Sequence, residues 1–149
     1  MQIQSTRLLQ FSRQFKKFYT GQFAPIMEKT GLSMREVEVM LFLANTPDYD
    51  TARDITEFRG LSKSQVSQAV DLLVAEGLLL RTPDQSDRRV IHLSITEEAA
   101  PLTKELLSVQ TRCIRQLLTG LTEEQIAQSS MTLETVLSNG LRLAEESSV

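Results

Sequence analysis

Residues 51–95, TARDITEFRGLSKSQVSQAVDLLVAEGLLLRTPDQSDRRVIHLSI, decide the fold. The first nine read as a short helix carrying Ile55 and Phe58. Gly60, Leu61 and Ser62 read as a tight turn, with Ser62 capping a second helix that runs to about Glu76. Val66, Ala69, Val70, Leu72 and Leu73 recur at helical spacing and predict its buried face. Gly77 stops it. The period then shortens. Residues 78–82 read as a strand and 83–87 as a turn. Residues 88–95 read as a second strand, in which Val90, His92 and Ser94 alternate against Ile91, Leu93 and Ile95. A lone hairpin is marginal in water, so this one is expected to pack on the helices.

Working outward, Ser33 with Glu36 three residues later has the pattern of a capping box. It heads a helix over 34–45 with Val37, Met40, Leu41 and Ala44 on one face. Residues 5–29 read as one helix with Leu8, Phe11, Phe15, Phe18 and Phe23 near helical spacing and Pro25 ending or bending it. On the other side, Thr96 is expected to cap a long helix with Glu97 and Glu98 in its first turn. Leu102, Leu106, Val109, Cys113 and Leu117 form its apolar stripe. Gly120 ends it, and Thr122 with Gln125 opens a last helix carrying Ile126, Leu133, Val136, Leu137 and Leu141. The fold class is therefore mainly α with a small β-hairpin wing. It reads as a winged helix-turn-helix whose N- and C-terminal helices carry more apolar surface than a small winged domain can cover, so they are expected to be dimerisation helices. The chain, 1–149, reads as a single domain. Its DNA-binding lobe spans 33–95, and 5–29 and 96–144 are the dimerisation helices.

In a winged helix-turn-helix the second helix enters the major groove. Ser62, Lys63, Ser64, Gln65, Ser67 and Gln68 make up the leading half of that helix here. Their short or flexible donors and acceptors suit base edges and phosphates. The wing tip carries Asp87, Arg88 and Arg89. Paired arginines there reach the phosphate backbone and the minor groove, and Asp87 is expected to orient one of them.

Composition narrows the remaining classes. One cysteine excludes an intrachain disulfide, and one cysteine with one histidine makes no usual zinc site. No metal or cofactor is expected. There is no glycine-rich phosphate loop, no H-E-x-x-H and no nucleophile–base pair, so the chain does not read as an enzyme. The start lacks the apolar run of a signal peptide and no stretch is long enough to cross a bilayer, so a cytoplasmic protein without a membrane partner is expected. The net charge is −3. Residues 51–95 hold six basic and six acidic side chains, and the acid is concentrated beyond residue 95. DNA binding then depends on where a few arginines point. This neutrality leaves one alternative, a winged-helix protein–protein adaptor without specific DNA binding.

Residues 60–99, GLSKSQVSQAVDLLVAEGLLLRTPDQSDRRVIHLSITEEA, resemble the MarR family of multiple-antibiotic-resistance-type regulators. The Asp87-Arg88-Arg89 run matches the family's wing signature, and Arg89 stands at its minor-groove arginine. The flanks match the family's dimerisation region. The resemblance implies a homodimer on pseudo-palindromic double-stranded DNA, usually a repressor. It also implies release by a small aromatic or phenolic effector bound between the dimerisation helices and the DNA-binding lobe. Phe11, Phe15, Phe18, Met40 and Leu106 are the candidate lining of that effector pocket. Three positions depart from the pattern. Arg59 replaces an apolar residue, Lys63 is the only basic residue of the recognition helix, and Pro101 is expected to kink the long helix. Cys113, mid-stripe, reads as a small inert hydrophobe.

Overall fold

The computed structural model describes residues 5–146. Its elements are α1 (Ser5–Gln22), α2 (Ala24–Thr30), α3 (Met34–Asn45), α4 (Ala52–Arg59), α5 (Lys63–Ala75), β1 (Leu79–Pro83), β2 (Ile91–Ile95), α6 (Ala100–Leu117) and α7 (Glu123–Glu146). The chain divides into two units, one ending at Cys113 and one beginning at Ile114.

The expected helix over 5–29 is two helices. Pro25 lies in the first turn of α2, where a missing N–H costs nothing. In a continuous helix its ring would clash with the carbonyl of Gly21. The break turns Phe23 fully into the core, beside Ile26.

The first unit's core joins α2, α3, α4, α5, the hairpin and the leading part of α6. Phe23, Val37, Met40, Ile55, Leu73, Leu79, Leu106 and Cys113 are sealed from solvent. On α5, Val66, Ala69, Val70 and Leu73 face inward as expected, but Leu72 is exposed. It lies one helical step outside that stripe. Phe58 is also exposed, its ring 4.6 Å from that of Tyr49.

Local hydrogen bonds set the ends of the helix-turn-helix. Thr51 accepts from the Asp54 N–H and Asp54 accepts from the Thr51 N–H, closing the cap of α4. Gly60 ends α4 in the left-handed region at φ 64°. At the end of α5, Gly77 sits at φ 71°. The Leu78 N–H reaches the Leu73 carbonyl and the Gly77 N–H reaches that of Val74, a Schellman arrangement.

β1 and β2 pair antiparallel, from Leu79 opposite Ile95 to Pro83 opposite Ile91. β2 is shorter than expected, because residues 88–90 belong to the tip. The hairpin is not left alone: Thr51 bridges His92, and the Leu93 N–H donates to the Asp50 carbonyl at 2.7 Å.

Thr96 does cap a turn, accepting from the Ala99 N–H and donating to the Gly77 carbonyl at 2.7 Å. That turn precedes α6 instead of forming part of it, so Glu97 and Glu98 lie outside the helix. Pro101 consequently occupies the second position of α6, where the expected loss of an internal helical bond does not arise. On α6, Leu106, Val109 and Cys113 are buried, while Leu117 is exposed.

In the second unit, Thr122 and Gln125 form the expected capping box. No residue of α7 is buried; Met131, Leu133, Val136, Leu137 and Leu141 are all exposed. No described helix is long and apolar enough to cross a membrane.

Candidate nucleic-acid interface

Ser62 accepts from the Gln65 N–H at 3.2 Å, while the Gln65 side-chain oxygen accepts from the Ser62 N–H at 2.9 Å. This reciprocal cap holds the start of α5 open to solvent. It also divides the six predicted recognition residues. Ser62 and Gln65 are committed to the cap, whereas Lys63, Ser64, Ser67 and Gln68 present exposed side chains. Behind them Val66, Ala69 and Val70 are buried, so the polar face cannot rotate inward without exposing core.

The wing tip is built by two aspartates. Asp84 Oδ1 accepts from the Ser86 hydroxyl at 2.6 Å and from the N–H groups of Ser86 and Asp87, each at 2.8 Å. These bonds, the Ser86 hydroxyl and the Asp87 amide foremost, hold the Asp84 carboxyl well below the usual carboxylate range. Asp87 Oδ1 accepts from the backbone N–H of Arg89 at 3.0 Å. Asp87 was expected to orient an arginine side chain; it fixes the arginine backbone instead. The Arg88 and Arg89 side chains are exposed, and no ion pair holds either guanidinium among the described residues.

Arg81, on β1, pairs with Asp71 on α5 and ties the wing to the recognition helix. A groove of about 430 Å³ runs between α4, α5 and the hairpin. Arg53, Lys63 and Arg81 edge it, over a floor of Val70, Ile91 and Leu93. Of these three cations, Arg81 is already met by Asp71.

The five expected pocket residues fall in two different settings. Phe11, Phe15 and Phe18 form a ladder of rings on α1, with Phe11 and Phe15 stacked at 5.6 Å. Phe11 and Phe18 are exposed, while Met40 and Leu106 are fully enclosed in the core. Sequence reasoning missed a small cavity of about 120 Å³ nearby, lined in part by Tyr19, Phe42, Asn45, Arg59 and Gln110. Arg59, the departure from the family pattern, reaches Glu38 at 3.4 Å. Burial raises the Tyr19 phenol above its ordinary value, against the lowering effect of its bond to Gln110. No group of three or more His, Cys, Asp or Glu side chains is placed to hold a metal ion among the described residues.

The geometry agrees with the comparisons. Residues 30–90 match the model of the MarR family. The HTH-type transcriptional repressor MdtR of Bacillus subtilis (strain 168) is 31% identical over 104 residues, covering 70% of this chain and 66% of that protein. The chain matches no more than about two thirds of the length of such curated relatives. The crystal structure of transcriptional regulator PA3341 superposes with a TM-score of 0.77 at 26% identity, over 93% of this chain and 98% of the other. CouR from Rhodococcus jostii RHA1, solved with p-coumaroyl-CoA, gives a TM-score of 0.66 at 26% identity, over 85% and 87%. A capped helix-turn-helix, an aspartate-built wing with two arginines and these likenesses lead to one assignment: the chain belongs to the MarR family.

Proposed function

We propose that this chain is a sequence-specific double-stranded DNA-binding transcriptional regulator that acts as a repressor. One observation carries the reading: the polar, outward face of α5 is joined through the Arg81–Asp71 pair to a hairpin whose tip exposes Arg88 and Arg89, neither of them ion-paired among the described residues. Lys63, Ser64, Ser67 and Gln68 would read the major groove, and Ser62 with Gln65 would hold the amides of the helix start toward a phosphate. Arg89 would enter the minor groove, with Arg88 on the backbone. The chain has no catalytic role in this reading, and it works in the cytoplasm beside its DNA.

A homodimer follows from the same reading. Two copies related by a two-fold axis present two recognition helices about 34–36 Å apart, one turn of DNA. The exposed apolar residues of α1 and α7, such as Leu8, Leu9, Leu133 and Leu137, supply surface for that pairing.

Release by a small aromatic or phenolic effector is supported by CouR, solved with p-coumaroyl-CoA. The Phe11, Phe15 and Phe18 rings are within reach of such a ligand. Met40 and Leu106 would join only if the core opened. The cavity beside Tyr19 is smaller than the roughly 300 Å³ at which small-molecule sites begin, so a ligand there must widen it.

The test is a mobility-shift titration of the purified protein on a fragment of its own promoter region, with an unrelated fragment as competitor. One dimer per site that resists the competitor supports the reading. Equal displacement by both fragments contradicts sequence-specific regulation at that promoter.

A further inference from the structure

His92 is the second residue of β2, and both of its ring nitrogens meet carboxylates. Nδ1 lies 2.7 Å from Asp50 Oδ1, and Nε2 lies 3.1 Å from Asp84 Oδ2. Asp50 belongs to the loop between α3 and α4, and Asp84 opens the wing tip just after β1. Among the described residues these are the charged groups acting on the ring. Its cross-strand neighbour is Thr82 and its neighbour in the backbone bridge is Thr51, both uncharged.

A neutral imidazole has one N–H and one lone pair. It satisfies one carboxylate and turns the lone pair on the other. Only the imidazolium donates to both. Each aspartate also has a second task. The other oxygen of Asp84 gathers the Ser86 and Asp87 amides, and its backbone N–H closes the tip on the Val90 carbonyl at 2.9 Å. The backbone carbonyl of Asp50 holds β2 through Leu93. The ring therefore joins the wing tip to the loop that leads into the helix-turn-helix.

We propose that the His92 imidazolium is a pH-sensitive latch between the wing tip and the loop that leads into the helix-turn-helix, and that its deprotonation frees the tip. The Asp50 hydrogen bond, then the Asp84 hydrogen bond, raise the pKa of the ring above its ordinary value of 6.5. A raised folded-state value means that the latch contributes fully below 6.5 and is lost as pH climbs through the higher value. Arg88 and Arg89 follow on the same tip, so DNA affinity should weaken over that same alkaline range. This consequence rests on the DNA-binding reading; the latch itself does not.

His92 is the chain's single histidine, so its ring can be followed by NMR in the full-length protein without DNA. The ring would be titrated from about pH 5.5 to about pH 9, together with the amides of Ser86, Asp87 and Arg89. The ring is expected to titrate above 6.5, and the tip amides to move with the same midpoint. Asp50→Asn should bring the ring midpoint down toward 6.5, and His92→Gln should abolish the amide transition. A ring that titrates at or below 6.5, or tip amides indifferent to it, overturns the latch. Binding to the promoter fragment across the same pH range separates the two readings. Affinity that falls with pH in the native protein but not in His92→Lys supports the latch as a control of DNA binding. Tip amides that follow the ring in a protein that binds no DNA uphold the latch and overturn the DNA-binding reading alone.

Discussion

Asn45 donates a hydrogen bond to the side-chain oxygen of Gln110 at 2.9 Å, across 65 residues of chain. Gln110 passes the contact on, its amide nitrogen donating to the Tyr19 hydroxyl at 3.1 Å. One side chain on α6 thus connects α3, which supports the DNA-binding lobe, to α1. Removing Gln110 takes one partner from Asn45, which keeps its bond to the Leu41 carbonyl at 2.8 Å, and takes the donor from the half-buried Tyr19 hydroxyl. Gln110→Ala should cost about 1–2 kcal/mol of unfolding free energy. A double-mutant cycle with Tyr19→Phe should be non-additive, because both changes remove the same bond. Chemical denaturation of the four proteins reads both quantities.

Ile55 and Phe58 share α4, yet only Ile55 is sealed in the core. Ile55→Ala should therefore cost about 2–5 kcal/mol by transfer and cavity terms. Phe58→Ala should lose its ring contacts with Tyr49 and Phe42 and little more, on the order of 1 kcal/mol. Thermal unfolding of the two variants should rank them in that order.

The cap of α5 and its proposed contact with DNA can be separated at Ser62. Ser62→Ala removes the acceptor for the Gln65 N–H and should cost about 1 kcal/mol of stability. Ser62→Asp keeps a cap and should hold stability near that of the native protein. Its new negative charge should still weaken DNA binding, since it would face phosphates. Melting curves and binding isotherms of the two variants should diverge.

Cys113 is fully buried on α6. A thiol-specific reagent should leave the native protein unmodified over minutes and react quantitatively once denaturant is added. Fast native labelling would contradict that inertness.

The sequence made the helix-turn-helix legible because its signals are local. The Ser62 cap, the Gly60 turn and the Gly77 stop each depend on neighbours within a few residues. The wing was legible as a hairpin but not in its extent. Alternation runs on through Val90, yet Asp84 and Asp87 draw the backbone amides of residues 86, 87 and 89 into a turn. Competition of this kind between side chain and ladder leaves no trace in hydropathy. The start of α6 was misplaced for a related reason, since Thr96 spends its hydroxyl on Gly77 nineteen residues away. The Asp50–His92–Asp84 contacts were out of reach altogether, because Asp50 and His92 are 42 residues apart. Apolar character alone does not tell an exposed ring such as Phe11 from a sealed side chain such as Met40.

The most direct test of the regulator reading is the salt dependence of binding to the promoter fragment, measured for the native protein and Arg89→Ala. Each phosphate contact contributes a slope of about −0.9 in log K against log salt. Tight binding with a slope of several units, weaker and shallower by about one unit in Arg89→Ala, is the predicted result. Binding that ignores salt, or that is identical in the two proteins, would contradict DNA recognition through this wing.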